Sequence, residues 1–209
     1  MAFVTIDPAV ELRPAPFKHN PFKAIVSPRP IGWITTLSES GVINLAPFSY
    51  FNAVCDNPHC VMYCPNGTQP EDGGVKDSLK NVEATKEFVC SVVSWDLREQ
   101  MNLTSAHVPR TVSEMAEAGL DPMPSVKVKP PRVAAAPAQL ECRYLQTVKL
   151  PSNGKSGNYM VIGEVVAMHI DESIIVDGRI DMMKMKPVSR LGYMDYSVLD
   201  NVFAMNRPD

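Results

Sequence analysis

The stretch PRPIGWITTLSESGVINLAPFSYFN, residues 28–52, holds the strongest structural pattern of the chain. Two runs rich in β-branched and apolar residues, 31–37 and 42–46, are separated by the polar link SESG, which ends in Gly41. Runs of this kind around a short link with glycine are typical of a β-hairpin. The sequence therefore predicts that an antiparallel pair of strands begins the fold.

The segment that follows, NLAPFSYFNAV at 44–54, does not behave like an ordinary strand. Pro47 interrupts an apolar run, and Ser49 and Asn52 stand among aromatic residues that suggest a core. Proline cannot donate to a strand ladder. The two polar side chains have two interpretations: they satisfy the main chain where a strand turns into a loop, or they face a ligand.

Short strands with turns between them continue through the rest of the chain. The further strands predicted are 60–64, 87–94, 138–148 and 159–170, and the helices predicted are 77–86, 96–106 and 112–119. In 138–148 apolar and polar residues alternate, which predicts one buried and one solvated face. Gly163 predicts a bulge or a close backbone approach, and Gly119 a helix C-terminal cap. The pattern is typical of a mainly β fold, a β-barrel with a few short helical insertions.

Composition excludes several classes of protein. The chain has 209 residues, 45% of them hydrophobic, and a formal net charge of -3, with no cluster of Lys and Arg of the kind that nucleic-acid binding requires. No signal peptide or bilayer-spanning apolar run is present, so we expect a cytoplasmic protein that does not bind a membrane. We expect one domain over residues 1–209, with 1–20 as an N-terminal extension.

The cysteines predict packing and no metal site. Cys55, His59, Cys60 and Cys64 resemble a ligand cluster. Strand alternation, however, directs His59 to the face opposite Cys60 and Cys64, and a second pair of ligands is missing. Without an export signal, five cysteines are expected to be reduced thiols, of which free ones are commonly buried.

The start of the helix predicted at 77–86 is a candidate anion site. The sequence GGVKDS places Lys76 and Ser78 at a helix N-terminus, after Gly73 and Gly74, and Asp77 or Ser78 is expected to cap the helix. Such a terminus offers free N–H groups and a partial positive charge. Lys76 is therefore interpreted either as a phosphate contact or as a solvated surface lysine. The chain has no nucleophile elbow, Walker loop or GxGxxG motif after a strand.

Several motifs in register resemble one family, the flavin reductase-like, FMN-binding split-barrel family. They extend from about Pro21 to Pro208 and are PRPIGWITTLSESGVINLAPFSYFN, GGVKDSLKNVEATKEFV, AGL, KPPRVAAAPAQLEC, GEVVAMHID and RLGYMDY followed by NRP. The resemblance implies a Greek-key split barrel that forms a homodimer with FMN at the interface. It also implies NADH or NADPH as transient electron donor and, in many members, a partner monooxygenase.

The resemblance also implies which residues bind the cofactor. They are Arg29, Pro30, Ala46, Pro47, Phe48, Ser49, Tyr50, Asn52, Lys76, Asp77, Ser78 and Arg190. Residues 46–48 would supply main chain beside the isoalloxazine ring, and Ser49 and Asn52 would reach polar atoms of the flavin. Pro47 would end the strand ladder where the main chain turns toward the ring. Lys76 and its neighbours would lie near the phosphate, for which Arg29 is another candidate.

Two further residues have a double interpretation. His169, on the strand AMHI, is either a buried, hydrogen-bonded histidine or, by resemblance, a catalytic acid/base or nicotinamide contact near the flavin. Tyr193 stands where the family motif has a second glycine, so the resemblance leaves open how the loop after Arg190 approaches the cofactor or substrate. The Tyr193 side chain is interpreted either as closing the site or as packing.

The function expected from the resemblance is that of an FMN-dependent oxidoreductase. The first hypothesis is an NAD(P)H:flavin reductase that supplies reduced flavin to a monooxygenase. The second is an FMN enzyme that retains its flavin and reduces its own small-molecule substrate, for example a nitroaromatic compound. The third is a flavin-binding redox module without turnover. In each of them the flavin supplies the redox chemistry and the protein orients it.

Overall fold

The computed structural model describes residues 1–69, 72–154 and 156–208. The strands are β1 (Arg29–Pro30), β2 (Gly32–Leu37), β3 (Ile43–Phe48), β4 (Phe51–Asp56), β5 (His59–Tyr63), β6 (Glu87–Val92), β7 (Pro122–Met123), β8 (Arg132–Val133), β9 (Ala138–Leu150), β10 (Asn158–Ile170), β11 (Ile175–Val176), β12 (Arg179–Ile180), β13 (Val188–Arg190) and β14 (Tyr196–Val198). The helices are α1 (Phe22–Ile25), α2 (Asp77–Thr85), α3 (Arg98–Leu103), α4 (Glu114–Glu117) and α5 (Met182–Met185), with 3-10 turns at Trp95–Leu97 and Glu172–Ile174. The mainly β class predicted from the sequence is confirmed.

Seven strands form one antiparallel sheet in the order β3-β2-β6-β9-β10-β5-β4. The predicted hairpin is its first pair, β2 with β3. β3 and β4 are the two edges of the sheet, although only Ser49 and Tyr50 separate them along the chain. Three residues of chain span at most about 11 Å. The sheet therefore curves until its edges meet at this bend, which confirms the predicted split barrel.

Two clusters of buried side chains lie on the two faces of the sheet. Inside the barrel, Ile34, Tyr63 and Phe88 belong to one cluster, against which Phe48 and Phe51 pack from the two sides of the bend. On the outer face a second cluster connects Trp33 and Leu45 with residues of α3 and α4, including Met101 and Met115. β2 is therefore buried on both faces, and α3 and α4 pack against the outer face of β3 at Leu45.

Gly163 occupies the close approach that the sequence predicts. The β9–β10 register shifts between Ile162 and Gly163, as expected for a bulge. A Cβ atom at this glycine would lie 2.3 Å from Cε1 of Phe88. Only glycine therefore fits here without displacing the aromatic core of the barrel.

The prediction of a solvated face on β9 is wrong for its first half. Gln139 and Glu141 are buried, because residues 126–136 cover them. The main-chain N–H groups of Val126 and Lys127 donate to the Glu141 carboxylate at 2.8 and 2.6 Å. The Gln139 amide donates to the carbonyl of Val133 at 3.2 Å. The polar residues of this face thus bind a covering loop instead of water.

The start of α2 differs from the prediction in its capping. The helix begins at Asp77 as expected, but its N-cap residue is Lys76 and no side chain caps it. Asp77 is instead engaged by side chains of neighbouring loops, and Ser78 is buried. Gly73 has a φ of 69°, and its N–H donates to the carbonyl of Gln69.

The middle helices are shorter than predicted. α3 ends at Leu103, so residues 104–106 leave the helix expected over 96–106. α4 forms one turn, after which Gly119 adopts a φ of 64°, consistent with its predicted place at a helix end. No helix among the described residues has the length and apolar character required to cross a bilayer.

The cysteines of the predicted packing cluster differ in exposure. Cys60 is buried, Cys64 is partly buried, and Cys55 is exposed. Burial raises the pKa of the Cys60 thiol, with Cys55 as a further cause. Within the described parts of the chain, no group of three or more His, Cys, Asp and Glu side chains is placed to hold a metal ion.

Candidate functional site

Two adjoining cavities lie along the end of β3. The first, which we name the α2 cavity, has a volume of about 250 Å³, and the predicted residues that line it are Ala46, Pro47, Phe48, Lys76, Asp77 and Ser78. The second, which we name the arginine cavity, has a volume of about 300 Å³, and the predicted residues that line it are Arg29, Pro47, Ser49 and Arg190. Pro47 and Ser105 line both, so the two cavities are neighbours.

Pro47 does not end the strand ladder, so this prediction is wrong. Pro47 lies within β3 and pairs with Trp33 of β2, and the next residue, Phe48, still pairs with Gly32 of β2. The Leu45 N–H points away from β2 and donates to the Glu114 carboxylate at 3.0 Å. Main-chain groups two residues apart point the same way along a strand. The missing N–H of Pro47 therefore falls on the open side of an edge strand, where no ladder bond is lost.

Lys76 brings positive charge to the α2 cavity at the start of α2. Its side chain is partly buried, and burial lowers the pKa of its ammonium group, while the neighbouring Asp77 carboxylate raises it in part. The Lys76 Nζ atom lies 3.3 Å from Nδ1 of His107. Together with the partial positive charge of the helix N-terminus, this arrangement favours an anion in the cavity.

Two buried polar groups of the α2 cavity have no hydrogen-bond partner among the described residues. They are Oγ of Ser78, a residue 2% exposed, and Nδ2 of Asn44, a residue 7% exposed. An unsatisfied buried polar group costs about 1–3 kcal/mol. A ligand with acceptor atoms would remove that cost at both positions.

The carboxylates near the α2 cavity are held by other groups. Asp77 forms an ion pair with Arg110 at 3.0 Å and accepts a hydrogen bond from the Gln69 amide at 2.7 Å. Arg110 also pairs with Asp72 at 3.2 Å. Burial raises the pKa of Glu114, which favours its neutral form. The ion pair of Asp77 and the raised pKa of Glu114 weaken the repulsion that these two lining carboxylates would exert on a bound anion.

In the arginine cavity, both guanidinium groups are fixed by main-chain and aromatic contacts. Arg29 is 6% exposed and donates to the carbonyl of Leu191 at 2.8 Å. Arg190 donates to the carbonyl of Tyr193 at 2.5 Å, and its guanidinium carbon lies 4.3 Å from the centroid of the Tyr196 ring. Tyr193 has a φ of 58°, a conformation that glycine adopts more readily, so the loop keeps a glycine-like shape despite the substitution.

Three predicted cofactor residues line neither cavity. Pro30 is exposed on β1, where it pairs with Ser189. The centroid of the Tyr50 ring lies 5.9 Å from the guanidinium carbon of Arg29. Asn52 is exposed on β4, and its side-chain oxygen accepts the N–H of the next residue. Their roles toward a flavin stay predictions.

His169 also lies outside both cavities. Its Nε2 atom is 2.6 Å from Oε1 of the fully buried Glu141. Burial on its own would raise the pKa of Glu141, but hydrogen bonds from Val126, Lys127 and His169 bring it below its ordinary value. The geometry fits the interpretation of His169 as a hydrogen-bonded structural residue. A catalytic role stays a prediction.

Several lining residues were not predicted from the sequence. The main group is the loop 104–108, all five residues of which line the α2 cavity; the others are Asn44, Asn66, Gln69 and Glu114. The sequence pattern does not indicate this loop, because it predicts a helix over residues 96–106. Its polar composition, TSAH, was the available signal for a turn.

The comparisons with known proteins give the family. A model described as the flavin reductase like domain matches residues 26–183. An uncharacterized protein from Aquifex aeolicus is 36% identical over 169 residues, which is 80% of this chain and 83% of that protein. Nitrilotriacetate monooxygenase component B from Bacillus cereus is 29% identical with a TM-score of 0.86, over 98% of this chain and 100% of that one. The 2-nitrobenzoate 2-nitroreductase NbaA of Pseudomonas fluorescens is 29% identical with a TM-score of 0.77, over 90% and 88%. Since this family model matches most of the length of the chain, the chain belongs to the flavin reductase like domain family.

Proposed function

We propose that the protein is an FMN-dependent NAD(P)H:flavin oxidoreductase that supplies reduced flavin to a partner monooxygenase. The observation that carries the proposal is the α2 cavity, where Lys76 and the start of α2 lie beside the unpartnered hydroxyl of Ser78. The likeness to a monooxygenase component B over nearly the whole chain supports the partner role.

The residues present fit FMN. Lys76 and Ser78 would hold the phosphate, with Asn44 as a further donor, because together they offer a cation and two free hydrogen-bonding groups. The outward side of β3 at Ala46–Phe48 would lie beside the ring, and Ser49 would face it from the arginine cavity. When bound, FMN accepts a hydride from a nicotinamide and passes electrons on. The chain's own residues bind and orient it.

The proposal includes a homodimer with the flavin at the interface. In its support, α1 exposes the apolar side chains of Phe22 and Ile25 on either side of Lys23, which lines the arginine cavity. Exposed apolar residues beside a site are a common mark of an interaction surface. We also propose that residues 1–209 form a single domain, since residues 1–20 contribute neither a helix nor a strand to the fold.

A second candidate is an enzyme that retains FMN and reduces its own organic substrate. It is supported by the likeness to NbaA, whose sequence identity of 29% equals that of the component B. A third cavity favours it too. This Trp95 cavity has a volume of about 460 Å³ and adjoins the arginine cavity. Its apolar lining comes from Trp95, Met101, Val188, Met194, Tyr196 and Val198, and the ion pair of Arg98 and Glu99 also lines it.

The test is anaerobic addition of NADH and NADPH, separately, to the protein loaded with FMN. We expect the flavin absorbance to bleach with at least one donor, and steady-state oxidation of that donor to rise with added free FMN. Turnover that needs an organic acceptor and ignores free FMN would replace the first candidate by the second. A protein that binds FMN and bleaches with neither donor would be a redox module, and one that never binds FMN would refute all three.

A further inference from the structure

The arginine cavity collects positive charge without an acidic residue in its lining. Lys23, Arg29 and Arg190 line it, and none of its lining residues is an Asp or a Glu. Arg29 and Arg190 are directly opposite each other in the β1–β13 pair. Like charges in that position repel. Within the described residues, none of the three cations forms an ion pair with a carboxylate.

Arg29 is the most costly of these cations to leave uncompensated. The residue is only 6% exposed, and its Nη atoms donate to the carbonyl oxygens of Lys23, Val26 and Leu191. Its Nε atom is buried and has no hydrogen-bond partner among the described residues. A buried charge without a counter-charge is unfavourable. Three carbonyl oxygens hold the guanidinium in place without supplying a negative charge, so an anion bound in the arginine cavity would compensate it.

The flavin of the proposed function does not account for this second site. FMN carries one phosphate group, and the α2 cavity already offers Lys76, the helix N-terminus and the free Ser78 hydroxyl for it. The arginine cavity also adjoins the Trp95 cavity, because Met101, Asn102, Met194 and Tyr196 line both. The Arg190 guanidinium lies on the Tyr196 ring at that junction.

We infer that the arginine cavity binds the anionic group, a phosphate or a carboxylate, of a second ligand whose apolar part lies in the Trp95 cavity. The inference rests on the proposed function, since the second ligand is the molecule that exchanges electrons with the flavin. Arg29 and Arg190 then serve that ligand and not the FMN phosphate. A phosphate would belong to a dinucleotide donor, and a carboxylate to an organic acid acceptor.

The experiment titrates the FMN-loaded, oxidised protein with inorganic pyrophosphate, benzoate and acetate by calorimetry at low chloride. Arg190→Gln and Lys23→Gln remove cavity charges. The matched control is Arg179→Gln, which removes the same charge from an exposed position on β12 that lines none of the three cavities. We expect Arg190→Gln to weaken binding of the preferred probe about tenfold or more, the effect of one lost hydrogen bond to a charged group. Arg179→Gln should leave binding unchanged.

The probes distinguish the two sources. Tighter binding of pyrophosphate, in competition with NADH or NADPH, assigns the anion to the dinucleotide. Tighter binding of benzoate than of acetate and pyrophosphate assigns it to an organic acid with an apolar body. Absence of binding of all three probes, or an equal loss in Arg179→Gln, would overturn the inference.

FMN affinity measured on the same preparations separates this inference from the proposed function. If Arg190→Gln lowers FMN affinity as much as probe affinity, the arginine cavity is the FMN phosphate site and the inference is wrong, while the proposed function stands. If the wild-type protein does not bind FMN, the proposed function is wrong. Pyrophosphate titration of the FMN-free protein then still decides whether the cavity binds anions.

Discussion

Trp33→Ala is expected to lower the free energy of unfolding by about 3–5 kcal/mol, the usual cost of removing a large buried aromatic side chain. Trp33 has no exposed surface and packs in the outer cluster with Leu45 and Met115. Its Nε1 atom also donates to Oγ1 of Thr104 at 2.8 Å. Thr104 lines the α2 cavity, so FMN affinity should fall as well. Urea denaturation and an FMN titration measure the two effects.

Trp33→Phe is the matched control, because it keeps an aromatic ring but removes the N–H donor. We expect a smaller loss of stability than in the alanine variant. Part of this loss comes from the hydrogen bond to Thr104, whose net worth is about 0.5–1.5 kcal/mol. If Trp33→Ala costs less than about 1 kcal/mol, the assignment of this residue to the core that supports the cavity is wrong.

Glu141→Ala should destabilise the protein by at least about 1.5–3 kcal/mol, the range for one hydrogen bond to a charged group. The carboxylate accepts from the N–H groups of Val126 and Lys127 and contacts His169 Nε2, so its loss frees several polar groups at once. His169→Gln is the control: it leaves the two main-chain donors in place and should cost less. Denaturation at neutral pH compares the three proteins.

The effect of Glu141 should also depend on pH. Its pKa in the folded protein is below the ordinary value, because the hydrogen bonds from Val126, Lys127 and His169 outweigh the rise that burial causes. A lowered folded pKa gives stability that is present above the unfolded pKa and lost as pH falls through the folded pKa. The difference between wild type and Glu141→Ala should therefore shrink below about pH 4. A difference that stays constant down to strongly acidic pH would contradict this account.

The fold was predictable where local pattern and structure agree. The hairpin 31–46, the long strand at 159–170 and the bulge at Gly163 follow from β-rich runs, turn residues and a glycine inside a strand. Two errors came from information that one strand does not contain. The sequence predicts that Pro47 ends β3. The strand is tolerant of proline because it lies at the edge of the sheet, and this position depends on which strands pair. The alternation in β9 predicts that Glu141 faces water. The segment that covers Glu141 lies elsewhere in the chain, so the pattern of β9 does not reveal it.

The candidate site was predictable where its residues are contiguous in a motif. Ala46–Phe48 and Lys76–Ser78 line one cavity as the motifs implied, although their contact with FMN stays a prediction. The residues brought in by tertiary contacts were missed. Glu114 reaches Leu45 across 69 positions, and His107 reaches Lys76 across 31. Such pairings are decided by packing and not by local sequence.

The most direct test of the central claim compares FMN with riboflavin, which lacks the phosphate, in wild type, Lys76→Gln and Lys80→Gln. Lys80 is exposed on the same helix and does not line the α2 cavity. We predict that Lys76→Gln weakens FMN binding by about 10–100-fold, as for one lost hydrogen bond to a charged group, and leaves riboflavin binding unchanged. Lys80→Gln should change neither. Equal losses for both flavins, or no loss for FMN, would contradict the assignment of the phosphate to the α2 cavity.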